Sequence, residues 1–271
     1  MTITTRDQLI NAIANNSSRL VIDKASLVNA AAGQFFSLWT ATGVPGAGAI
    51  PTAAAVPTSA TTGSFNFANQ TAPATGYLAW LAFQSANAIT NLEIHDRLAA
   101  RGGLTGNITT AQGGLDLTTT DPGADRVGAL DYSDVQWWLE IYTALGATSV
   151  NATVGVTYND GTTGNLTAFA LGVTPRQGRL YPLVSAVSGK FIRGVTGVTL
   201  SATTGTAGNF GITATRPRTS VSTNVANKTE TFDWAQLGLP NIPNDSCLFM
   251  LLNCTTTSTG ILRGQAKIAH G

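Results

Sequence analysis

From Tyr77 onward the apolar residues recur with period two, and that alternation restricts most of the chain to strands. Tyr77, Ala79, Leu81 and Phe83 share one face. Leu92 and Ile94 alternate with Glu93, His95 and Arg97, which the pattern turns outward. Val135, Trp137, Leu139 and Ile141 alternate with Gln136, Trp138, Glu140 and Tyr142. Val150, Ala152, Val154, Val156 and Tyr158 alternate with Asn151, Thr153, Gly155 and Thr157. Successive strand side chains point to opposite faces, so each segment predicts a half-buried strand. Asn159-Asp160-Gly161 marks one hairpin. Gly205–Gly208 marks a second, between strands predicted over 195–204 and 209–216. Short apolar stretches at 248–252 and 261–268 add further strands. Many short strands with turn signals predict a mainly β fold, an antiparallel β-sandwich or jelly roll.

Residues 1–76 follow a different grammar. Thr5-Arg6-Asp7-Gln8 has the spacing of a capping box, and Leu9, Ile10 and Ile13 continue at helical spacing. The predicted helix is short and needs something to pack on. Residues 44–75 carry Pro45, Pro51, Pro57 and Pro73 among Ala, Gly and Thr, with no charged residue. Proline fixes φ and removes a donor, so this stretch predicts a long extended arm. Phe65 and Phe67 are costly to leave in water, which predicts that the arm docks on something. The expected organisation is therefore an N-terminal region of helix, strands and arm over 1–76, then a β-sandwich domain over 77–271.

Charge narrows the function classes. Charged residues are 11% of the chain, the net charge is +1 and 43% of residues are hydrophobic. Such a chain is neither disordered nor a coiled coil, and it has no global basic field for nucleic acid. No run of roughly 18 apolar residues occurs, so no membrane-spanning helix and no membrane partner are expected. Residues 1–5 lack the features of a signal peptide. The charges are segregated, however. Asp116, Asp121, Asp125, Asp131, Asp134 and Glu140 form an acidic stretch opposed only by Arg126. Arg176, Arg179, Lys190, Arg193, Arg216 and Arg218 lie in a stretch from 161 to 218 without Asp or Glu. Complementary stretches of this kind can set register between subunits. The candidate interface residues are Phe65, Phe67, Asp121, Asp125, Asp131, Asp134, Arg176, Arg179, Arg193, Arg216 and Arg218.

Catalytic and cofactor chemistry finds little to stand on. His95 and Asp96 are adjacent on a predicted strand and face opposite ways, so they do not form a dyad. The Gly pairs lack phosphate-loop spacing, and no Gly-x-Ser-x-Gly elbow is present. The acidic stretch could offer hard oxygen ligands to calcium, but its spacing is not that of an EF-hand loop. Cys247 and Cys254 suggest two buried thiols and no zinc site. No catalytic residue, cofactor or metal is therefore expected.

Three phrases carry a family resemblance. They are Asp96-Arg97-Leu98 followed by Gly102-Gly103-Leu104-Thr105-Gly106, the strand Trp137-Trp138-Leu139-Glu140-Ile141-Tyr142, and Leu200-Ser201-Ala202-Thr203-Thr204 running on through Gly205 to Gly211. In a Thr-, Ala- and Gly-rich, charge-poor chain they resemble virion structural proteins of tailed bacteriophages. The resemblance implies a non-enzymatic protein of the virion, made in the host cytoplasm. A capsid cement or decoration protein would bind the major capsid protein and copies of itself, commonly as a homotrimer. A tail or tail-tube protein is the alternative within that group. A carbohydrate- or receptor-binding module is a second, and a depolymerase ranks last. On the cement reading, deletion of 44–75 leaves a folded domain that no longer binds capsids.

Overall fold

The computed structural model describes residues 2–27 and 30–271. A short N-terminal helix, α1 (Arg6–Asn15), precedes strands β1 (Ser17–Lys24), β2 (Gln34–Ser37), β3 (Gly43–Val44), β4 (Gly76–Ser85), β5 (Thr90–Leu104) and β6 (Leu115–Asp116). The single-turn helix α2 (Ala124–Val127) leads to β7 (Gln136–Thr143), β8 (Asn151–Tyr158), β9 (Thr163–Asn165), β10 (Phe169–Ala170) and β11 (Arg179–Leu183). Then come β12 (Ile192–Leu200), β13 (Asn209–Thr223), β14 (Glu230–Asp233), α3 (Trp234–Leu237), β15 (Asn241–Ile242), β16 (Leu248–Cys254) and β17 (Leu262–His270). The fold is mainly β with antiparallel ladders, as the alternation predicts. The capping box forms as well. The Gln8 amide donates to the Thr5 hydroxyl at 3.3 Å, and the Thr5 amide donates to Gln8 Oε1 at 3.1 Å. Such a cap stabilises a helix end by about 1 kcal/mol.

The chain forms two compact units, and their boundary does not fall at 76/77. Unit 1 runs to Ala49 and resumes over Thr58–Asp96 and Pro217–Gly271; unit 2 is Ile50–Pro57 with Arg97–Arg216. The single sandwich expected over 77–271 is thus replaced by two units, each with its own core. The long strands β5 and β13 each run from one unit into the other, which period-two reading cannot reveal.

In unit 1, β14, β4, β17, β1 and β3 form one sheet in that order, with β15 also on β4. The strand β16 pairs with β2 on one side and with β5 over residues 91–96 on the other. Leu20, Leu81 and Ile268 from the first sheet meet Phe36, Ile94 and Met250 from the second in one core. Phe65 and Phe67 lie in that same core, 2% and 8% exposed. On the opposite face of the first sheet, Leu9 and Ala12 of α1 pack against Ala79 and Ala269. This supplies the support that so short a helix requires.

In unit 2, β10, β8, β12 and β6 form one sheet, with β9 also on β8. The strand β7 pairs with β11 and with β13 over 209–215. Trp137, Ile141 and Phe210 pack on Val154, Val156 and Val198. The Asn159–Gly161 turn links β8 to β9 as a hairpin. The turn at 205–208 does not make a hairpin: β12 pairs with β8 and β6, and β13 pairs with β7, so this turn carries the chain from one sheet to the other.

Candidate interaction surface

The ladders of unit 2 fix which loops share an end. Gln136 opens β7 opposite Thr215 of β13, and Ile192 opens β12 opposite Tyr158, where β8 closes. The Trp137 indole donates to the Ile192 carbonyl at 2.7 Å, joining the two sheets at this end. Loops 117–135, 159–162 and 184–191 therefore gather there. The loop 171–178 lies at the other end. Ala170 pairs with Asn151 where β8 begins, and the Leu145 amide, just past β7, donates to Pro175.

The first end carries a cleft of about 290 Å³ lined by Leu117, Asp121, Val127, Leu130 and Tyr132 among others. Leu130 is 90% exposed. Tyr132 has φ +64, a left-handed conformation costing roughly 1–3 kcal/mol for a non-glycine residue. The surrounding turns fix it. The Tyr132 amide donates to Ala129 at 2.9 Å, and the Asp131 carboxylate accepts from the Ser133 amide at 3.0 Å. The Ser133 hydroxyl and amide hold the Asp131 carboxyl below the usual range. Asp121 likewise accepts from the Gly123 amide at 2.8 Å. Val184, Val187 and Phe191 are further exposed apolar residues at this end, at 70%, 44% and 37%.

Two ion pairs match the acidic and basic stretches to each other within unit 2. Arg193 lies 3.4 Å from Asp116, and Arg216 lies 3.1 Å from Asp134. Arg216 also donates to the carbonyls of Asp125 and Arg126 at 3.2 and 3.3 Å. Burial alone would raise the Asp116 carboxyl. The Thr118 amide and hydroxyl, with Arg193, outweigh it and hold that carboxyl low. Lys190 reaches Asp160 at 2.9 Å and, with Thr162, keeps that exposed carboxyl strongly depressed. Part of the charge expected to align subunits is thus satisfied inside the fold, while Asp121, Asp125, Asp131 and Arg176 stay exposed.

Of the eleven candidate residues, Asp121, Asp125, Asp131, Asp134, Arg193 and Arg216 come together at the cleft end of unit 2. Arg176 is exposed on the loop at the other end. Arg179 lies over the Tyr181 ring, 4.8 Å from its centroid. Arg218 belongs to unit 1 and pairs with Asp96 at 3.1 Å, the two side chains 4% and 0% exposed. Phe65 and Phe67 are core residues of unit 1, so they are not anchors for a neighbour. The stretch 44–75 is extended, but the Phe65 amide donates to Leu248 at 2.9 Å and the Ala55–Ala100 bridge ties 50–57 into unit 2. His95 is fully buried, with Nε2 2.8 Å from Glu93, rather than outward-facing. Cys247 and Cys254 are buried thiols. Among the described residues no three His, Cys, Asp or Glu side chains converge as a metal site, and no helix is long and apolar enough to cross a membrane.

The sequence reading missed a buried polar group in unit 2. Arg126 on α2 donates to the carbonyls of Pro57 and Arg97 at 3.0 and 2.9 Å. Arg97 in turn meets Glu140 and Tyr142. Charged residues at strand positions next to aromatic ones were the signal available.

No protein-family model matches the chain, and no curated protein does. Among solved structures, the chain is weakly similar to the VP2 subviral particle of infectious bursal disease virus. Identity is 11%, the TM-score is 0.17, and 94% of this chain and 79% of that one are covered. A structure of the Gx strain of the same virus gives 11% identity and a TM-score of 0.17, covering 100% and 85%. Scores of this size do not define a shared fold.

Proposed function

We propose that the chain is a non-enzymatic virion structural protein of the cement or decoration type, binding a capsid lattice and copies of itself. The observation that carries this reading is the set of exposed apolar side chains, Leu130 and Val184 foremost, on loops at one end of unit 2. Soluble monomers rarely gather such side chains without a partner to cover them. The charge-poor composition supports the reading, because the centres of protein interfaces are depleted of charge. The pairing of Glu140 with Arg97 and of Asp96 with Arg218 supports it too, since each engages an acid–base group in holding strands together. Two assays test it: co-sedimentation of the purified chain with capsids that lack it, and solution mass by light scattering. Capsid binding with a trimeric mass is expected. Growing tubes would move the protein to the tail, and a monomer that binds glycans but not capsids would replace the proposal.

A further inference from the structure

We infer that unit 2 associates head to tail: the cleft beside Leu130 on one copy receives the loop 172–176 of a second copy. This deepens the reading above and rests on it, by naming the partner and the surface. The two elements lie at opposite ends of the same strands, as the ladder register requires. The cleft offers an apolar floor of Leu117, Val127 and Tyr132. Asp121 lines it, and the exposed carboxylates of Asp125 and Asp131 sit on the residues next to its lining residues Ala124 and Leu130. The loop offers the complement. Val173 is 71% exposed, and Arg176 is exposed three residues later.

The rim charge decides between modes of self-association. A two-fold contact of cleft on cleft would oppose aspartates to aspartates, and like charges across an interface are costly. A contact of cleft on loop opposes aspartates to Arg176. The loop is also set in advance. Thr174 is held at φ +48, and Pro175 is buried with its carbonyl accepting from the Leu145 amide at 3.1 Å. A preorganised loop loses little freedom on docking. Contacts between different patches are heterologous, so they propagate until a ring closes.

Complementation tests this on the full-length chain. Leu130→Asn spoils the cleft and leaves the loop; Val173→Asp spoils the loop and leaves the cleft. Both positions are exposed, and circular dichroism checks that each variant is folded. Each variant alone is expected to associate at least about tenfold more weakly than wild type in light scattering. An equimolar mixture is expected to give a one-to-one dimer through its single intact cleft and loop. The charge reversal Arg176→Glu is expected to weaken association, and Asp125→Arg on the same chain to restore it. Wild-type mass in either single variant, a monomeric mixture, or a monomeric wild type would each overturn the inference. Capsid co-sedimentation of Val173→Asp separates the two claims. Binding that survives while head-to-tail association fails removes only this inference, whereas wild-type protein that does not bind capsids removes the function proposed above.

Discussion

The Arg97 guanidinium lies 2.8 Å from the Glu140 carboxylate, and both side chains are 1% exposed. Arg97 also donates to the Tyr142 hydroxyl at 2.6 Å, and the Thr213 hydroxyl donates to Glu140 at 2.5 Å. Burial drives the Tyr142 phenol far above its ordinary range, so it stays a neutral hydrogen-bonding group. Removing one member of a buried pair leaves the other charge uncompensated. Glu140→Leu is expected to destabilise the protein by about 3–5 kcal/mol, and Arg97→Met with Glu140→Leu by clearly less. Urea denaturation of both variants checks this. Equal losses would mean that packing, and not charge, sets the cost.

Two buried bases give a pH dependence of one sign. Lys24 is 1% exposed, and its ammonium donates to the carbonyls of Ala41 and Gly46 at 2.9 and 3.4 Å. Burial lowers its pKa from 10.5 to about 8. Between those values the unfolded chain holds a proton that the folded chain has released, so stability rises with pH across that window and is flat below it. Burial also lowers His270, whose Nε2 lies 2.7 Å from the Ser18 hydroxyl. Stability therefore falls as pH drops below the ordinary histidine value of 6.5. Denaturation midpoints across pH are expected to lose the alkaline rise in Lys24→Met and the acid fall in His270→Gln. An unchanged profile in Lys24→Met would show that the buried amine does not titrate on folding.

Phe65→Ala is expected to cost unit 1 about 3–5 kcal/mol, the range for a large core aromatic. Deletion of 44–75 is expected to unfold the protein, in place of the folded, capsid-blind domain that the sequence suggests. Thermal melts of the two variants decide the matter. A cooperative wild-type melt in the deletion would return the stretch to the status of an arm.

A Cβ on Gly211 would lie 1.8 Å from the carbonyl oxygen of Arg101, because β13 and β5 approach there without room for a side chain. Gly211→Ala is expected to abolish soluble folded protein. Gly161→Ala meets nothing within 4 Å and bears only the strain of φ +84, worth roughly 1 kcal/mol. Soluble yield and Tm compare the two, and equal behaviour would refute the close approach.

The strands were legible because period-two alternation is written in adjacent residues, and the Thr5–Gln8 cap because it spans three. What stayed hidden depends on ladder register. Arg97 and Glu140 read as outward positions because alternation assumes one wet face. Here the second face is buried too, and the partners come from strands far apart in sequence. The Gly-rich turn at 205–208 has hairpin composition, but composition does not say which strands pair. For Phe65 and Phe67 the cost of exposure was evident and the covering surface was not. The acidic and basic stretches were visible as a pair, but their ion pairs form only once Asp116 lies beside Arg193 and Asp134 beside Arg216. The cleft itself left no mark, since it is made by loop conformation around Tyr132.

The pairing of β1 with β17, from Ser17 opposite Ala269 to Lys24 opposite Leu262, has a bearing on how the chain is made. The ribosome produces β1 early and its partner only after all of unit 2 has been synthesised. The long segment Arg97–Arg216 can collapse while β1 still has only the two-residue β3 beside it and its other edge is bare. Completion of unit 1 is therefore a late event in synthesis, and during that interval β1 and β4, which both await β17, lie open to a chaperone or to premature association.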